Sequence, residues 1–229
     1  MMLGFYALFL QGGVSQVSID TRLSGMVLIM AVCCFVFPIF ATTYLPLFDG
    51  MTVKAIEAMQ AVMLLSFALY CYFYMNPLSL PQGQKLFWLW AIMWWIMLFG
   101  RSISWGRDYF PDLPKPYFRA LSVCYIAPVF FMLLSKALRH EIMHKFKTMC
   151  IPAWAFIFTL GGLMMSEAIE NERSISNLIL FDVSYKNLIE ELYEFPLILG
   201  LMFMCFSIMK QQKQGNESVE STSELLAKS

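Results

Sequence analysis

Glu57 and Gln60 stand three residues apart near the start of one apolar run, and Asn187, Glu190, Glu191 and Glu194 fall at i, i+3, i+4 and i+7 before another. Helical spacing puts each set on one face. A polar stripe inside an apolar helix is costly unless something meets it, which marks Glu57, Glu190 and Glu194 as candidates for proton transfer. The stretch from Gly100 to Pro111 supplies Arg101, Ser102, Ser104, Trp105, Arg107 and Asp108, and Arg119 follows it. Arginines grip phosphate or carboxylate bidentately, so Arg101, Arg107 and Arg119, with Ser104 and Trp105, form the expected binding group. Arg107, beside Trp105-Gly106, is its central expectation.

Other chemistries are poorly supplied. Ser102 and Ser104 are hydroxyls without a histidine on the same face, so a serine hydrolase lacks its base. His140 and His144 share a helical face at i, i+4, but no nearby third ligand completes a metal site. No metal or cofactor is expected. The six cysteines, Cys33, Cys34, Cys71, Cys124, Cys150 and Cys205, lie in or at the ends of apolar runs and read as small apolar residues.

The elements that must position these groups are dictated by composition. Of 229 residues, 59% are hydrophobic and 14% charged, and the mean hydropathy is +0.62. Such a chain has too little polar surface to cover a water-soluble globule, and a bilayer is the expected solvent. Lysine plus arginine equal aspartate plus glutamate at 16 each, which leaves no basic field for nucleic acid.

Six apolar spans are predicted: about Gly25 to Leu47, Val53 to Met75, Lys85 to Gly100, Tyr117 to Leu138, Met149 to Met165 and Leu188 to Met209. The fold expected is an all-α bundle of six transmembrane helices, or seven if residues 1–11 also cross. Residues 1–24 read as an interfacial or re-entrant segment, with no basic stretch or cleavage site of a signal peptide. Residues 25–209 form the membrane domain. Residues 210–229, rich in Gln, Ser and Glu, read as a disordered tail.

Lys136, Arg139, Lys145 and Lys147 crowd the connection after the fourth span, and Lys210 and Lys213 follow the last. The bias of basic residues puts both on the cytoplasmic side of an inner membrane, with both termini there. Glu57, Arg101 to Asp108, Arg119, Glu167, Glu170 and the Glu190 to Glu194 stripe then share the outer end of the bundle.

At Ser104-Trp105-Gly106-Arg107 the chain resembles a loose group of uncharacterised bacterial polytopic membrane proteins. These carry a Glu-Glu-Ile-Ser-Trp-Gly-Gln-type signature after a hydrophobic helix. Glu57 with Gln60, and Ile189-Glu190-Glu191-Leu192, look like that group's earlier Glu-x-x-Gln and late Leu-Glu-Glu stretches. Arg101 and Ser102 stand where the group has two acids, and Arg107 stands for its Gln. The group brings no established activity with it.

Three functions fit. The first is an outer-face site that binds or processes an anionic lipid or lipid-linked substrate. The second is a non-enzymatic assembly subunit, whose charges lock helices and whose Gly161-Gly162 pair packs against a membrane partner. The third, a small proton-coupled transporter, ranks last because no polar groups continue through the inner half.

Overall fold

The computed structural model describes residues 19–42, 46–107, 109–110, 112–171 and 182–227. Most of the expected N-terminal segment, together with Asp108 and Pro111, lies outside them. Seven α-helices are found among the described residues: α1 (Gly25–Thr42), α2 (Met51–Met75), α3 (Gln82–Ser102), α4 (Lys115–Met132), α5 (Lys136–Thr148), α6 (Ala153–Glu170) and α7 (Lys186–Ala227). Two short strands, β1 (Ile19–Asp20) and β2 (Ile151–Pro152), pair in parallel. The chain is all-α among the described residues; five of the predicted spans each overlap a single helix, and the fourth, Tyr117 to Leu138, runs past the end of α4 and across a bend into α5.

Fewer of those helices than expected have the length and apolarity to cross a membrane. The stretches Phe48–Ser79 and Val183–Glu217 do, and α4 with α5 makes a third if the pair, bent by 75°, is taken as one. By length and composition, the described residues thus hold two or three such helices, fewer than the six expected. The physical reasons differ. Helix α1 is uncharged from Gly25 to Thr42, but its 18 residues make only about 27 Å. The start of α3 is Gln82-Gly83-Gln84-Lys85, and four tryptophans dilute its hydropathy. The 18 residues of α6 give about 27 Å, short of a ~30 Å core, and end in Glu167 and Glu170.

The basic connection after the fourth span is itself a helix, α5. The Ser135 hydroxyl caps it by accepting from the Leu138 amide at 3.5 Å. Leu138 and Lys145, seven residues apart, are buried, whereas Arg139, His140 and His144 are exposed. This is an amphipathic helix with one face against the bundle.

Helix α7 is the hub, packed against α6, α1 and α2. Close approach to α6 depends on small residues. A Cβ on Gly162 would lie 2.9 Å from the Tyr193 carbonyl and the Leu197 amide, and one on Gly200 would collide with Thr159. Gly162 and Gly200 are thus used within the chain, whereas Gly161 faces open space. Toward α1, the Tyr193 hydroxyl donates to the Cys34 carbonyl at 3.4 Å.

Between α2, α3 and α7 lies a core that includes Leu64, Cys71, Trp88, Ile92, Trp95, Ile198 and Met209. Phe67 meets Trp95 edge to face at 4.7 Å between centroids, a favoured arrangement of aromatic quadrupoles. Outward faces are apolar as well. Phe35, Val62, Phe73, Phe131 and Phe156 are all more than half exposed, as a helix bundle in hydrocarbon would have them.

One end of the bundle is fastened by polar side chains. The Gln212 carbonyl oxygen accepts from Trp88 Nε1 at 2.8 Å and from Lys145 Nζ, and its amide donates to Gln84 Oε1 at 2.8 Å. Lys145 lies 3.5 Å from Glu141 Oε1 and over the Phe87 ring at 4.7 Å. Gln211 spans the Cys150 peptide, accepting from its N–H and donating to its carbonyl, both at 2.8 Å. The helix therefore does not end at Met209, where the disordered tail was expected to begin, because buried partners claim the next turn.

Candidate functional site

The other end carries the polar groups singled out from the sequence. Helix α2 starts after Gly50, which adopts φ 86°, and brings Glu57 and Gln60 onto the face that meets α7. Gln60 is 1% exposed and donates from Nε2 to the Glu191 carbonyl at 2.8 Å, which fixes α2 against the first turns of α7. Arg101 occupies the last turn of α3, where a cation complements the negative end of the helix dipole.

After α3 the backbone makes a sharp reversal. Ser104, Trp105 and Gly106 have φ of 49°, 57° and 87°, three successive left-handed residues of which only the last is glycine. Non-glycine residues enter this region at a cost of about 1 kcal/mol or more each, so the turn must be held by its contacts. The Trp105 ring folds back onto Gly100, where an added Cβ would lie 2.8 Å from Cε3 and closer still to Cζ3. Its other face stacks on Tyr125 of α4, with centroids 6.1 Å apart and planes at 27°.

These arrangements enclose a cavity of ≈ 160 Å³ lined by Glu57, Gln60, Leu64, Leu98, Arg101, Ser102, Ser104, Glu191, Glu194, Leu197, Ile198 and Leu201. Polar groups from three helices meet there above a floor of leucine and isoleucine. Carboxylates stand on the α2 and α7 walls. The guanidinium and two hydroxyls stand on the α3 wall. The charge of Arg101 acts on both Glu190 and Glu194, although it makes no direct ion pair among the described residues.

A second cavity of ≈ 590 Å³ shares Glu57 and Ser102 with the first and adds Lys54, Ile103, Tyr109 and Asn187. Ser102 thus stands where the two meet. Its Oγ is buried without a hydrogen-bond partner among the described residues, and a buried hydroxyl left unpaired is costly.

Several expected residues are brought together and others are not. Glu57, Glu194, Arg101 and Ser104 line the inner cavity. Glu190 does not; it lies one helical position away, within the field of Glu170, Lys186 and Arg101. Trp105 supports the turn and reaches neither cavity. Arg107 and Arg119 are exposed and line neither cavity, so the three-arginine clamp is reduced to Arg101 with the serines. Missing from the residues expected to act were Ser102, Glu191 and, in the outer cavity, Lys54. The i, i+3 spacing of Lys54 and Glu57 was the signal that could have found the last.

No known protein family matches this chain, and neither the curated proteins nor the solved structures contain one that is significantly similar to it.

Proposed function

We propose that this is a multi-pass inner-membrane protein in which α1 to α4, α6 and α7 are the six spans, α5 lies on the cytoplasmic surface, and both termini face the cytoplasm. The shorter helices fit if the bilayer thins around them, at a modest cost per ångström. The 21 residues between Glu191 and Gln212 support this reading. They make about 31 Å of helix, so the polar cavity and the Gln212 cluster fall at opposite faces of a hydrocarbon core.

The cavity, on this reading, opens to the outer face and binds or processes an anionic lipid or lipid-linked substrate. The observation that carries it is the joint lining: a guanidinium and two hydroxyls on one wall, three carboxylates on the others, and a purely apolar floor. Arg101, Ser102 and Ser104 receive an anionic head group through charge-assisted hydrogen bonds. Glu57, Glu191 and Glu194 face it across the cavity, placed to exchange a proton with it. The apolar floor suits an amphiphile and would be wasted on a small ion.

Native mass spectrometry of the protein in mild detergent tests this. An anionic adduct of defined mass should appear on the wild type and on Arg107→Ala and be absent from folded Arg101→Ala. An adduct that follows Arg107 instead, or one indifferent to both, would overturn the assignment.

A further inference from the structure

The floor of the polar cavity is shared with another. Leu98 of α3 and Leu201 of α7 also belong to a third cavity, an open groove of ≈ 390 Å³ that runs between the same two helices toward the other end of the bundle. Trp94, Ala91, Met204 and Ile208 are among its walls. From Leu98 back to Phe87 the groove follows about 16 Å of α3.

We propose that this groove holds one hydrocarbon chain of the amphiphile whose head group occupies the polar cavity. The inference rests on the reading of that cavity as a head-group site and adds where the tail lies. Two observations select this occupant. The shared leucines place the apolar groove next to the polar chamber along the same two helices, so a single molecule with a charged head and a long apolar chain matches both. The groove is walled almost wholly by aromatic and aliphatic side chains, which suit a hydrocarbon chain and would leave the polar backbone of a peptide without partners.

The probe that tests this is hexadecyl phosphate carrying a terminal diazirine, photolysed in nanodiscs with the full chain and mapped by peptide mass spectrometry. Labelling should concentrate on the α3 and α7 peptides that line the groove. An excess of unlabelled hexadecyl phosphate should reduce it several-fold, and butyl phosphate should do so far less. Ala91→Phe, which fills the groove, should cut this competed labelling several-fold while butyl phosphate still binds. Met204→Trp serves the same purpose if Ala91→Phe fails to fold.

Labelling spread over the outward faces that carry Phe73 and Phe131, unchanged by competitor, would mean bulk lipid only and would overturn the groove. Groove peptides shielded within a dimer seen by native mass spectrometry would give the groove to a second copy and overturn it too. The head-group reading fails separately, when Arg101→Ala binds butyl phosphate as well as the wild type does.

Discussion

The ring of Trp105 occupies the space that a side chain on Gly100 would need, so the two residues, five apart, are fitted to each other. The turn between them carries two left-handed non-glycine residues, and this contact with the Tyr125 stack holds it.

Gly100→Ala should therefore destabilise the protein by about 1–3 kcal/mol, the usual range for overpacking. Thermal unfolding in detergent measures it. Trp105→Ala should remove that sensitivity, so that adding Gly100→Ala to it costs little. Additive effects in the double variant would show that the two side chains do not compete for one space.

The spacing of Glu57 with Gln60 and the stripe from Asn187 to Glu194 marked helix faces that converge, but the cavity is lined by Glu191 and Glu194 rather than by the expected pair Glu190 and Glu194. Spacing within a helix is legible because the helix fixes direction. Trp105 and Arg107 lie beyond the end of α3, where direction depends on a left-handed turn that residue type alone does not specify; the first turns inward onto Gly100 and the second outward. Helix α5 and the first turn past Met209 were illegible for another reason. Their polar residues looked solvated, and only the tertiary partners of Lys145, Gln211 and Gln212 show that they are not. Fewer helices than expected pass by length and composition, because tryptophans and terminal glutamates lower the hydropathy of segments that are packed all the same.

Gln60→Leu keeps the volume but removes the donor to the Glu191 carbonyl. Loss of a buried bond of this kind is expected to cost about 1–3 kcal/mol. Because the bond joins α2 to the first turns of α7, ligand retention in native mass spectra should fall more than stability does. Unchanged unfolding together with unchanged retention would mean that the bond positions nothing.

Cys71 and Cys205 bring their sulfurs within 3.9 Å across the α2–α7 interface. In a chain whose other four cysteines are replaced by serine, copper-phenanthroline oxidation should link them, visible as one band after proteolysis between α3 and α7. Substituting Cys205 with serine should abolish the link. Failure to cross-link after mild unfolding and refolding in oxidant would contradict the packing of α7 on α2.

Glu57→Gln and Glu194→Gln should retain an anionic adduct and lose any turnover of it, since the amide keeps the shape and removes the exchangeable proton. Glu190→Gln, whose side chain is outside the cavity, should behave close to wild type. If Glu190→Gln alone abolished turnover, the proton-transfer assignment would belong to the Glu170 side of α7 and the cavity would serve binding only.

Lys145 is 4% exposed on the surface helix α5, and burial pushes its ammonium below the ordinary value of 10.5, with Glu141 opposing that shift. A lysine whose folded pKa is depressed binds fewer protons in the folded state than in the unfolded one over the interval between the two values. Stability should then rise with pH across that interval, up to about 10.5, and this rise should be missing from Lys145→Met. At neutral pH the same variant leaves Gln212 without one of its donors but still bonded to Trp88, so its loss of stability should be partial. Unfolding temperatures of both proteins measured from pH 7 to pH 10.5 decide it. Parallel curves would mean that the ammonium is hydrated, and that the fastening of α3, α5 and α7 rests on Gln212 and Trp88 alone.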